Sequence, residues 1–188
     1  MLCIGQAYGQ KTTGREYYIK GGYAHSGLIQ TSSATDYYGG STFGFGLKNF
    51  FRNDWWLQTE LSFLRQSIAW QEGNTSQQLN VKTVGLPIML SYRPGDILEG
   101  HFGIRPAAVY EARIFDQENP DNANNLGKDE LGSFRVSLVA GGEVNISPLA
   151  IGLRYLYDPF KLAKSSMLEG AFGSARLHTI QVYGLIVF

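Results

Sequence analysis

Residues 55–70 read WWLQTELSFLRQSIAW. Leu57, Thr59, Leu61 and Phe63 form one alternate set, and Gln58, Glu60 and Ser62 form the other. This two-residue period marks a β-strand with two unlike faces. A soluble sheet would turn the apolar set to a core and carry long charged side chains on the other face. Here an ionisable Glu60 sits mid-run among small or uncharged neighbours, and Trp55, Trp56 and Trp70 bracket the run.

The same division recurs along the chain. Alternation predicts eight strands, at 16–26, 41–51, 55–70, 78–93, 97–112, 133–146, 149–158 and 176–188. One face carries large apolar residues, such as Tyr17, Ile19, Phe43, Phe45, Leu86, Ile88, Phe102, Ile104, Leu153 and Val182. The other carries small residues (Gly22, Gly44, Gly46, Gly103, Gly141, Gly152) punctuated by charges of both signs. Glycine on a polar face implies that space is scarce there. An eight-stranded barrel has an interior just wide enough to fill with side chains. The polar face therefore belongs inside and the apolar face against lipid. A charge buried unpaired costs several kcal/mol. Lys20, Lys48, Glu60, Arg105, Arg135, Glu143, Arg154 and Asp158 are accordingly expected to pair within the lumen. The tryptophans are expected near the two membrane interfaces, where amphipathic rings collect.

The connections agree. RND (52–54), PGD (94–96) and SP (147–148) are tight turns, whereas 27–40, 71–77, 113–132 and 159–175 are longer and mostly polar. Short and long connections alternate, which places all short turns at one end of an up-and-down barrel. Outer-membrane barrels have that asymmetry, with short periplasmic turns and longer extracellular loops. The expected fold is all-β: a closed eight-stranded antiparallel up-and-down transmembrane barrel over residues 16–188, after an N-terminal leader or periplasmic segment, 1–15. Both termini are expected in the periplasm. Pro87 and Pro106 fall inside expected strands, where a missing N–H implies either a β-bulge or a locally open seam.

Composition narrows the function. Among 188 residues, 16 basic and 16 acidic side chains cancel, so the chain lacks the basic footprint of nucleic-acid binding. Charged residues are 17%, below the ~25% usual in soluble domains. Cys3 is the single cysteine, so there is no internal disulfide, and no metal-ligand spacing or phosphate-cradling motif is present. No cofactor is expected.

Several segments match a known pattern. YYIKGGYAHSGL (17–28) resembles the first strand of the Bacteroidota outer-membrane β-barrel domain family, which includes PorT-like proteins. VGLPIMLSYRPG (84–95) resembles its proline-containing fourth strand and turn. HFGIRPAAVYEAR, VAGGEVNI and IGLRYLYD are similar to its fifth, sixth and seventh strands. The closing HTIQVYGLIVF (178–188), ending in Phe188, resembles the assembly signal read by barrel-insertion machinery. The resemblance implies a fold with eight strands and mostly no assigned activity, some members being secretion components or accessory subunits of envelope complexes.

An outer-membrane lipid hydrolase would need a serine, histidine and acid together. Ser26, Ser137, His25, His101, His178 and Glu143 supply the residue types, but the histidines are scattered over the first, fifth and eighth strands, and no catalytic set is assigned. The segment 159–175 carries Leu162, Met167, Leu168, Ala171 and Phe172, an apolar side suited to a protein contact. Three roles remain open: a non-catalytic accessory or scaffold subunit of an envelope complex, a stand-alone surface barrel binding ligands through its loops, and a lipid-modifying enzyme. The expected partners are outer-membrane lipids, the insertion machinery during biogenesis, and a protein of such a complex.

Overall fold

A computed structural model describes residues 14–29, 35–72, 75–116, 124–125, 133–161 and 175–188. The expected leader, and the apolar residues of the last long connection from Leu162 to Phe172, lie outside them. The strands are β1 (Arg15–Ile29), β2 (Thr35–Arg52), β3 (Trp55–Glu72), β4 (Thr75–Gly85), β5 (Ile88–Tyr92), β6 (Leu98–Asp116), β7 (Asn124–Asn125), β8 (Phe134–Ile146), β9 (Leu149–Lys161) and β10 (Arg176–Val187). β4 and β5 are two halves of one barrel strand, and β7 is a two-residue ladder on β6. The remaining pairings are antiparallel between chain neighbours, and β1 pairs with β10 from Tyr18↔Val187 to Ile29↔Arg176. The result is a closed eight-stranded antiparallel barrel, with no helix among the described residues.

Three tight turns share one end. Asn53 and Asp54 both have positive φ (45° and 69°), the backbone of a two-residue hairpin turn that follows strand twist. Gly95 (φ 87°) closes the second turn, where a side chain would be strained. Ser147 and Pro148 form the third.

At the other end the strands outrun the expected bounds. β2 begins at Thr35 instead of 41, β4 at Thr75 instead of 78, and β6 runs to Asp116 instead of 112. Alternation records the surroundings of side chains, while the ladder needs only backbone partners. Polar strand ends beyond the bilayer keep the second and lose the first.

The prolines correct both expectations made for them. Register is unbroken across Pro87: Ser62 pairs with Gly85 and Thr59 with Ile88, two residues facing two. On the other flank Gly85 pairs with Ala107 and Ile88 with Ile104, again without an insertion. Glu60 N still donates to Pro87 O at 3.1 Å, and Leu86 N to Pro106 O at 2.9 Å. Each proline thus removes one bond of a reciprocal pair, and neither makes a bulge or a seam. Register shifts occur elsewhere, at Tyr38/Ser41, Phe50/Arg52, Lys82/Thr83 and Arg176/His178.

The wall is apolar outside. Tyr17, Phe43, Phe45, Phe102, Ile151 and Val182 are each about half exposed or more, which in water would forfeit about 25 cal/mol per Å² of apolar area. Trp55 lies beside Tyr92 (ring centroids 5.0 Å), whereas Trp56 packs at the short-turn mouth against Phe50 (5.4 Å) and the Arg93 guanidinium (4.7 Å). The interior is layered and not polar throughout. Leu28, Ile68, Leu79, Val81, Val109 and Leu177 form an apolar cluster toward the long connections. Ala24, Leu64, Met89, Val139 and Leu156 form a second cluster. Tyr18, Ala150, Tyr183 and Leu185 form a third by the β1–β10 closure.

Candidate functional site: a salt-bridged lumen

Inward-facing charges arise from strand parity. Lys20 on β1, Lys48 on β2, Glu60 on β3, Arg105 on β6, Arg135 and Glu143 on β8, and Arg154 and Asp158 on β9 are all buried, none more than 9% exposed. The closed wall brings them into two groups.

The first group spans the barrel at its middle and short-turn side. Glu60 accepts from Lys20 Nζ (2.5 Å), from Tyr18 Oη (3.0 Å) and from Arg154 Nη1 (3.1 Å). Lys48 Nζ lies 2.8 Å from Glu99 and 2.6 Å from Glu143. Tyr183 Oη donates to Glu143 at 2.9 Å, and its ring takes Lys20 and Arg154 at 4.9 and 5.0 Å from the centroid. His101 bridges the halves, accepting from Arg154 Nε at 3.2 Å and facing Glu143 at 3.9 Å. At the short-turn mouth Arg93 joins Glu99 and Glu16, each at 2.8 Å. Every carboxylate in this group meets a cation, which a dry interior requires.

The second group is smaller. Arg135 pairs with Asp158 at 2.5 Å. Arg105 donates to Ser62 (3.1 Å) and Thr83 (2.8 Å) and takes no ion pair among the described residues. A neighbouring layer runs from Gln66 to Thr179 (2.7 Å) and from Thr179 to Ser26 (2.9 Å).

Sequence reasoning missed Tyr18, Tyr183, Glu99, Arg93 and Glu16. The signal was available for the tyrosines. A Cβ added to Gly46 would meet the Tyr18 ring at 2.4 Å, and one added to Gly152 would meet the Tyr183 ring at 2.4 Å. An inward tyrosine thus faces a glycine on the adjacent strand.

The serine and histidine candidates do not converge. Ser26 points inward to Thr179, while His25 is on the outward side of β1, stacked on Tyr23 at 6.5 Å. His178, beside Tyr155 at 6.0 Å, is a diagonal neighbour of His25 across the β1–β10 pairing. His101 is held inside by Arg154, and Ser137 is buried opposite Arg105. Phe188 is exposed beside the closure, where its N–H donates to Tyr17 O at 2.9 Å.

A closed eight-stranded wall, apolar outside, salt-bridged within and short-turned at one end, defines an outer-membrane barrel. The family model for an outer membrane protein beta-barrel domain matches residues 7–161, and the chain belongs to that family. Its fold is similar to that of Ail, the attachment invasion locus protein of Yersinia pestis. There the identity is 17%, the alignment covers 94% of this chain and 99% of Ail, and the TM-score is 0.57. Neisserial surface protein A is similar too, at 14% identity, covering 90% of this chain and 96% of that one, with a TM-score of 0.53. At these identities the likeness is one of fold. No curated protein matches the chain. The bacterial outer membrane is its location, and lipid is the neighbour of its outer face.

Proposed function

We propose that this barrel is a non-catalytic accessory or scaffold subunit of a larger envelope complex, inserted with both termini periplasmic and its long connections outside the cell. The observation that carries this reading is the lumen. Its inner carboxylates are spent on cations, with Glu60, Glu99 and Glu143 each held within 3.1 Å. Such an interior supports a rigid wall and supplies neither an aqueous path nor a serine–histidine pair. What remains for function is the outer surface and the loops. The apolar residues of segment 159–175 favour a protein contact, and the resemblance of 84–95 to PorT-like barrels points the same way.

The test is affinity purification in mild detergent. A protein retained in fixed ratio, and released by Leu168→Asp or Phe172→Asp while the folded barrel band persists, is the expected result. A monodisperse barrel of its own mass would overturn it in favour of a stand-alone surface protein that binds ligands through its loops. Lipid hydrolysis or acyl transfer by the purified chain, abolished by alanine at His25 and His178, would instead make it an enzyme.

A further inference from the structure

On the outer wall, pairing places side chains of β2, β3 and β4/β5 in successive rows. Ser41, Arg65 and Lys82 form one row, then Phe43, Phe63 and Val84, then Phe45, Leu61 and Leu86, then Leu47, Thr59 and Ile88. Two features of this wall have no use in the barrel itself.

The first is a like-charge pair. Arg65 and Lys82 are direct cross-strand partners, an arrangement that is destabilising without a counter-anion. Lys82 lies 2.9 Å from Glu111 of β6, but Arg113 shares that carboxylate at 3.1 Å. Arg65 is exposed and has no ion pair among the described residues. Three cations therefore stand around one acid, at the edge of the apolar belt. The second feature is an open groove of about 480 Å³, lined by Phe45, Leu47, Thr59, Leu61 and Leu86 among others. Thr59, the small side chain of its row, leaves the space.

Groove and cations share β3 and the β4/β5 strand, with the row of Phe43, Phe63 and Val84 between them. From Arg65 to Thr59 is six residues, about 20 Å of strand. At a strand tilt of about 45° this descends about 14 Å, close to half of the ~30 Å hydrocarbon core. We infer that this wall is a binding site for one acidic membrane lipid, its phosphate held by Arg65, Lys82 and Arg113 and one acyl chain laid in the groove down to Thr59. The inference stands whether or not the barrel has a protein partner.

Native mass spectrometry of the detergent-folded full chain tests it, with phosphatidylglycerol, phosphatidylcholine of the same chains, and inorganic phosphate as probes. Phosphatidylglycerol is expected to occupy one site at least tenfold more tightly than phosphatidylcholine. The R65Q/K82Q variant is expected to lose that preference. Thr59→Trp, which fills the groove but faces lipid, is expected to weaken phosphatidylglycerol at least threefold. If the double variant lacks a folded band, Arg65→Gln alone, which breaks no ion pair, carries the same reading. Equal retention of the two lipids by the wild type, or a preference that survives loss of the cations, would overturn the site. Inorganic phosphate binding as tightly as phosphatidylglycerol, or Thr59→Trp without effect, would overturn the role of the groove.

Discussion

Glu60 of β3 and Arg154 of β9 meet inside the barrel at 3.1 Å, 94 residues apart in sequence. Lys20 reaches the same carboxylate from β1, so one acid ties together three strands that lie apart around the wall. Ladder hydrogen bonds join only neighbours. The lumen network adds cross-braces, and its energetic signature is asymmetric: an intact buried pair adds little, whereas a widowed charge costs much.

Glu60→Leu should therefore destabilise the folded barrel by about 3–5 kcal/mol, because it strands Lys20 and Arg154 in a dry interior. Thr59→Leu, one residue away on the lipid side, should stay within about 0.5 kcal/mol of wild type. Urea titration of the folded band in lipid vesicles measures both. Equal losses would mean that Glu60 is not a brace.

The glycines opposite Tyr18 and Tyr183 give a separate handle. A Cβ at Gly152 would sit 2.4 Å from the Tyr183 ring, so Gly152→Val must displace that ring from Glu143 and from the cations above it. Overpacking of this kind costs about 1–3 kcal/mol. The double variant with Tyr183→Ala makes room and should recover part of the loss. Recovery in the same urea titration distinguishes a packing clash from a general defect of the strand.

Strand parity made the wall legible in the sequence. Period two marks Lys20, Glu60 and Arg154 as inward and Ile19, Leu61 and Leu153 as outward, and the side chains lie on those faces. What parity could not give was partner choice. Lys48 takes Glu99 and Glu143, and the inward parity that Glu99 shares with His101 does not say which cation it meets. Tyr18 and Tyr183 resemble lipid-facing aromatics by composition, but they share the inward parity of Lys20 and Gln181, and a glycine faces each ring. The inner leucines and valines of the long-connection end escaped for a related reason. There the alternation inverts: Leu79 and Val81 are buried inside while Asn80 and Lys82 take the outward side, so the apolar set no longer marks the face toward lipid.

With the lumen braced as described, the barrel should be electrically silent. Planar bilayers containing the purified protein should show no steps of nanosiemens size, since only barrels of roughly 16 strands or more leave an aqueous channel. Replacing Glu60, Lys20 and Arg154 together by alanine removes both charge signs at once. Such a variant should fold less stably yet leak small ions if side chains alone seal the section. A wild-type channel would contradict the plugged interior directly.

The histidines offer a test of the proposed scaffold role against the enzyme alternative. His25 and His178 are diagonal neighbours on the outward side of the wall, while Ser26 points into the lumen and is bonded to Thr179 at 2.9 Å. A nucleophile on one face of a strand cannot use a base on the other, because the backbone separates them. Alanine at His25 and His178 should therefore leave the protein's cellular role and its heat-shifted band unchanged, whereas Leu168→Asp in segment 159–175 should abolish the role and keep the band. Complementation of a deletion strain, scored beside band migration in the same membranes, measures both. Loss of complementation with the histidine pair, together with retention for Leu168→Asp, would reverse the assignment.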